Sequence, residues 1–163
     1  MTRLKTLIWG RNPKKTLLRC LLLGLVAAWV FGWWLRPVRV VGISMEPTMH
    51  HGGVHLIDLR KFRSREPGRG DLVAIAMPGR RSFYLKRVLG LPGETIAFRQ
   101  GRLVINDREL PEPYLYELGD WELEDTPIPT GVYFVAGDNR ATPFSGHTLG
   151  LVERSNIAGG LFR

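Results

Sequence analysis

From Leu17 to Leu35 the chain is apolar apart from one charge, Arg19. A helix rises about 1.5 Å per residue and a bilayer's hydrocarbon layer is about 30 Å thick, so a run of about 17–25 apolar residues reads as a membrane span. This run lies near the short end of that range, and Arg19 is close enough to its start to reach the headgroups. Trp29, Trp33 and Trp34 gather at its far end, where an aromatic belt sits. Two other readings compete. A cleaved secretory signal would close on a small-residue cut site, but this run closes on Trp33-Trp34-Leu35-Arg36-Pro37. A buried core helix would show a polar face to solvent, and nothing polar marks one here. An uncleaved single transmembrane helix is the expectation.

Charge gives the orientation. Residues 1–19 contain Arg3, Lys5, Arg11, Lys14, Lys15 and Arg19 and no acid. The net charge of +8 is therefore largely a basic tail, with no basic face implied for a folded domain. That distribution argues against a nucleic-acid partner. The positive-inside rule predicts a cytoplasmic tail at 1–16, a span at 17–35 and an extracytoplasmic domain at 36–163. Cys20, the sole cysteine, lies in the apolar run and supports neither an internal disulfide nor a metal cluster.

After Pro37 the pattern changes to short β-type runs separated by turn signals. Val38–Ile43 reads as a strand leading into Ser44, and Gly53–Leu59 as a second. Asp71–Met77 and Ser82–Leu89 read as an antiparallel pair. Glu94–Phe98 and Arg102–Ile105 flank Arg99-Gln100-Gly101 as a hairpin. Residues 106–130 are acidic, contain proline and read as a surface excursion. Gly131–Ala136 is a strong apolar strand, and Gly150–Ile157 supplies one more. The fold expected is mainly β: a transmembrane helix followed by a compact, closed, all-β domain.

Ser44 falls just beyond the span, in Gly42-Ile43-Ser44-Met45-Glu46-Pro47-Thr48-Met49. A serine hydroxyl becomes a useful nucleophile when a neighbouring base takes its proton. Lys61 and Lys86 are the lysines of the predicted external part. Lys61 sits among arginines and reads as a solvated loop charge. Lys86 shares a strand face with Tyr84 and Val88, and burial there would lower its pKa enough to make it a base. Periodicity equally allows a lysine at a strand edge with its amine in water. Histidine bases compete: a triad of Ser44 with His147 and Asp138 or Asp71 is geometrically possible. The histidines lack metal-ligand spacing, so no metal and no cofactor is expected.

These stretches resemble the bacterial signal peptidase I family of membrane-anchored serine-lysine peptidases. Ser44–Met49 is similar to that family's serine box and Gly70-Asp71-Leu72-Val73 to the strand after it. Tyr84–Glu94 resembles the lysine box; Gly137-Asp138-Asn139-Arg140 and Gly150-Leu151-Val152 resemble the ends of the last box. The resemblance implies Ser44 as nucleophile, Lys86 as general base and the Ser44 backbone N–H as oxyanion donor. Gly42 stands where some members add a hydroxyl donor. It implies an apolar S1 pocket from Val40, Met45, Met49, Tyr84 and Leu85, with substrate bound as an added strand. Asp138 and Asn139 are implied as supporting residues.

One segment departs from the pattern. Pro143 stands where the family has a serine, and Ser145-Gly146-His147 stands for Asp-Ser-Arg. In an extended segment Ser145 would point to the side of residue 143 and orient the Lys86 amine; it could as simply cap a turn beside Gly146. By resemblance the function expected is cleavage of signal peptides from exported preproteins at the bacterial inner membrane, with the catalytic domain periplasmic or otherwise extracytoplasmic. The partners expected are preprotein signal peptides and the lipid bilayer, with secretion or conjugation machinery as a further partner class. One alternative is a leader peptidase specialised for pilin or conjugation substrates. Another is an inactive anchored β-domain of a secretion assembly.

Overall fold

The structure is a computed structural model that describes residues 12–76, 79, 82–146 and 150–162. The tail before Asn12, and His147 of the triad alternative, lie outside the described residues. Helix α1 spans Pro13–Trp33. Pro13 occupies the first turn, where a missing N–H costs nothing, and the Asn12 carbonyl accepts from the Thr16 amide and hydroxyl. Leu17, Leu18, Leu21, Leu22, Leu23 and Leu25 are all exposed along it. A helix this apolar with no protein cover matches a lipid environment, and its Lys14–Trp33 stretch is long enough to cross a bilayer. The chain leaves the helix earlier than its apolar run suggests. Arg36 precedes Pro37, whose ring disfavours a helical conformation for the residue before it. Leu35 therefore already belongs to strand β1, Leu35–Arg39.

The strands that follow are β2 (Val54–Asp58), β3 (Leu72–Ala76), β4 (Phe83–Gly90), β5 (Thr95–Arg99), β6 (Arg102–Ile105), β7 (Arg108–Glu109), β8 (Leu123–Pro127), β9 (Val132–Ala136), β10 (Leu151–Glu153) and β11 (Ile157–Leu161). They form a seven-stranded antiparallel sheet, ordered β1-β2-β11-β3-β4-β9-β10, and a four-stranded one, ordered β7-β6-β5-β8. The mainly β expectation holds, as do the β3–β4 pair and the β5–β6 hairpin.

Strand β9 shows how one run serves two cores. Tyr133 and Val135 join Val73, Ile75 and Val88 on one face of the large sheet. Phe134 and Ala136, of opposite parity, join Leu89, Ile96, Phe98, Leu103 and Trp121 between the sheets. Burial on both faces explains why Val132–Ala136 is apolar without alternation. A third cluster, Val40, Met45, Met49 and Leu72 with Leu85 and Leu161, lies beneath the Ser44 loop.

Two expectations need correction. Residues 106–130 are more than a surface excursion: they contain β7 and β8, and Trp121 and Ile128 are core residues. Trp121 meets the Phe98 ring edge-on at 5.2 Å and donates its indole N–H to the Thr142 carbonyl. The C-terminal stretch forms two strands, and β11 lies inside the large sheet between β2 and β3.

Candidate active site

The Ser44 loop is built by anchoring its flanks. The Val40 amide donates to the Gly53 carbonyl and the Gly52 amide to the Val40 carbonyl, which ends the β1–β2 ladder. Gly42 then takes φ 99, a left-handed conformation that favours glycine, and its amide donates to His51 Nδ1. So Val38–Ile43 is strand only at its start, and the chain reaches Ser44 through a turn. The Met49 amide donates to the Met45 carbonyl, closing one turn that drives both methionine side chains into the core at 1% exposure. Ser44 is left half-buried at the rim. Among the described residues its backbone N–H has no acceptor.

The turn after β9 ties this loop to β4. The Asn139 amide donates to the Ser44 carbonyl at 3.0 Å, and Asn139 Nδ2 donates to the Ile43 carbonyl at 3.2 Å. The neighbouring Asp138 carboxylate is fully buried and accepts from Arg87 Nε at 2.8 Å, Arg87 Nη2 at 2.6 Å and the Thr48 hydroxyl at 2.5 Å. Arg87 Nη1 donates to the Gly70 carbonyl. A bidentate arginine–carboxylate pair out of water holds its geometry strongly, and removing one partner of such a pair costs about 3–5 kcal/mol.

Lys86 lies one position before Arg87 on β4, opposite Val73, and is 4% exposed. Burial pushes its amine below the ordinary lysine range, and the Asp138 charge opposes that push without cancelling it. Among the described residues its amine has no hydrogen-bond partner. The edge-exposed alternative for Lys86 is excluded by this burial.

A groove of about 430 Å³ runs beside the serine. Residues 36–41 form one wall and residues 82–85 the other, with Ser44 and Met45 between them. Strand β1 is a sheet edge, and β9 pairs with β4 only from Arg87 onward, so residues 83–86 keep one edge free among the described strands. Val40, Met45, Tyr84 and Leu85, which the resemblance assigns to an S1 pocket, line the groove. Met49 does not line it; it packs behind Met45.

The competing bases are placed elsewhere. His51 accepts from Gly42, and His50 opens into a separate 260 Å³ pocket beside Asn139. Asp71 is paired with Arg65 and Asp138 with Arg87, so both candidate triad acids are already engaged. Ser145 sits exposed in a 3-10 turn, Phe144–Gly146, and among the described residues it makes no hydrogen bond to Lys86. The extended geometry that would align it with residue 143 does not form. Thr48 and Arg87 were missed in the sequence. Their signal was an arginine beside Lys86 inside an otherwise apolar strand.

Residues 14–162 match the family model described as signal peptidase, peptidase S26. The chain belongs to this family. A member of the signal peptidase family is a serine endopeptidase, and that is the enzyme class of this chain. Signal peptidase I V of Bacillus subtilis (strain 168) is 35% identical over 135 residues, covering 74% of this chain and 80% of the relative. Signal peptidase I of Bacillus licheniformis is 34% identical over 148 residues, covering 83% and 76%. A crystal structure of a signal peptidase I from Enterococcus faecalis V583 is similar with a TM-score of 0.50 and 31% identity, covering 60% of this chain and 98% of that one.

Proposed function

We propose that this chain removes N-terminal signal peptides from exported preproteins at the outer face of the bacterial inner membrane, with Ser44 as nucleophile and Lys86 as general base. One observation carries the reading. The desolvated lysine precedes Arg87, whose salt bridge to Asp138 leads through the neighbouring Asn139 to a half-buried serine that opens onto a groove with free strand edges. The neutral Lys86 amine would take the Ser44 proton as Oγ attacks the scissile carbonyl. The ammonium would then protonate the leaving amine as the C–N bond breaks, and water would release the acyl enzyme by the same route. The Ser44 N–H, unpaired among the described residues, is suited to the developing oxyanion. Substrate would lie extended between β1 and β4, its small P1 side chain against Val40, Met45 and Leu85.

The anchor gives the reaction its place. Ser44 follows the last helical residue, Trp33, closely enough that even a fully extended connection reaches at most about 40 Å, so Ser44 stays near the membrane surface where signal peptides present their cleavage sites. The test is incubation of the purified chain with a preprotein and sequencing of the new N-terminus. The reading expects one cut directly after a small residue downstream of the substrate's apolar segment. Intact precursor, or cuts scattered through the mature part, would refute it.

We read the basic tail as cytoplasmic, helix α1 as the span in place of the 17–35 run the sequence suggests, and the strands from Leu35 onward as extracytoplasmic. In a Cys20→Ser background, a cysteine at exposed Glu117 is expected to react with an impermeant thiol reagent in intact spheroplasts, and one at residue 6 is not. Labelling at residue 6 alone would reverse the orientation.

A further inference from the structure

The stretch between β7 and β8 sends two side chains, Glu112 and Tyr114, to the buried arginines Arg140 and Arg87. The Glu112 carboxylate accepts from Arg140 Nη1 and Nη2 at 3.1 and 2.5 Å, with the two side chains 3% and 1% exposed. It also accepts from the Tyr114 hydroxyl. Arg87 sits over the Tyr114 ring, its Cζ 3.8 Å from the ring centroid.

A guanidinium offers donors along its edge and a π surface on each face. The Arg87 edge is committed to Asp138, Gly70 and, more weakly, Thr48. Those bonds fix the group within its plane, and resistance to tilting out of that plane comes from the face contact. Gly70, Leu89, Glu112 and Tyr114 line a 350 Å³ pocket at this place, so loss of the ring gives the guanidinium room to move.

We propose that Tyr114, held by Glu112, is a positioning residue: a strap that keeps Arg87 on Asp138 and so keeps the Asp138 charge from recruiting a proton to the Lys86 amine. The charges around this pair are few. Lys86 is faced by Asp138 and flanked by Arg87; β3 brings Val73 opposite it, and β9 brings Ala136 opposite Arg87. The serine loop carries Glu46 and His50, which open into the pocket beside Asn139. Arg87 is faced by Asp138, Tyr114 and, beyond it, Glu112 paired to Arg140. Asp138 is the one carboxylate acting on Lys86 among the described residues, so the quality of the Arg87–Asp138 contact sets how strongly the ammonium is favoured. Burial and Glu112 hold the Tyr114 hydroxyl far above its ordinary range, so it remains a donor at any working pH.

The inference rests on Lys86 as the base. It is tested with the full chain in detergent, following kcat/KM against pH on a peptide spanning a signal-peptide junction. Tyr114→Leu keeps the apolar bulk and removes the π face. Its acid limb is expected to move up by roughly 0.5–1 pH unit, a loss of about three- to tenfold on that limb that disappears at the alkaline plateau. Tyr114→Phe retains the ring over Arg87 and is expected to restore the parental limb. An unmoved limb, or a loss equal at every pH, would overturn the proposal. Arg87→Lys covers the case in which Tyr114→Leu fails to fold. An ammonium has neither fork nor face, so the same upward displacement is expected, and a parental limb there overturns the strap. An active Lys86→Met enzyme would instead sink the base assignment itself.

Discussion

Ser44→Ala is expected to lower precursor cleavage by about 10⁴-fold or more while membrane insertion and thermal stability stay parental, because removing a serine nucleophile eliminates the covalent route altogether. The substitution deletes one oxygen from a half-buried side chain that has no hydrogen-bond partner among the described residues. The loop keeps its shape for reasons independent of that oxygen. Met45 and Met49 still fill their core positions, and the Asn139 amide still bonds to the backbone carbonyl of residue 44. Activity and stability should therefore separate completely. Cleavage at a tenth of the parental rate would show that the nucleophile lies elsewhere.

Lys86→Met is the second large effect. Methionine matches the lysine stem in length and carries no charge to desolvate, so the folded state should be as stable as the parent or more so. Turnover should fall by at least about 10²–10⁴-fold, the range ascribed to a positioned general base. Lys86→Arg should be nearly as inactive, because a guanidinium stays protonated and cannot accept the serine proton. The added arginine would also crowd Arg87 beside the same carboxylate. Full activity in Lys86→Arg would exclude an amine base and revive a histidine route.

The two residues proposed as nucleophile and base stand out in short local patterns: a serine just beyond an apolar span, and a lysine inside an apolar strand. What surrounds them was legible only in part. The resemblance names Asp138 and Asn139, but the hydrogen bond and salt bridge that bring Thr48 and Arg87 to Asp138 join distant parts of the chain, which no local period encodes. Trp121 was hidden for another reason. It is a single buried side chain in an acidic, proline-containing stretch whose composition speaks for solvent. The last strand was masked by its glycines. The sequence pattern ends its last strand at Ile157, yet a Cβ at Gly159 would lie 2.4 Å from the Asp58 carbonyl oxygen, and one at Gly160 2.8 Å from the Lys61 and Phe62 side chains. Glycine there permits close approach to β2 and the loop after it, and the strand runs through the middle of the sheet. Ser145 failed as a geometric expectation because residues 144–146 coil into a turn where the comparison of positions assumed an extended chain.

The measurement that bears most directly on the account is the pH dependence of kcat/KM for the parental chain. Neutral Lys86 is the proposed active form, and burial lowers its pKa, so activity should rise with pH through a limb lying below the ordinary lysine value of 10.5. It should vanish as pH falls and the amine takes up a proton. Alanine at His50, His51, His55 or His147 should leave that limb in place. A limb that moves or disappears with one of those histidines, or that lies at the ordinary lysine value, would contradict a desolvated lysine base.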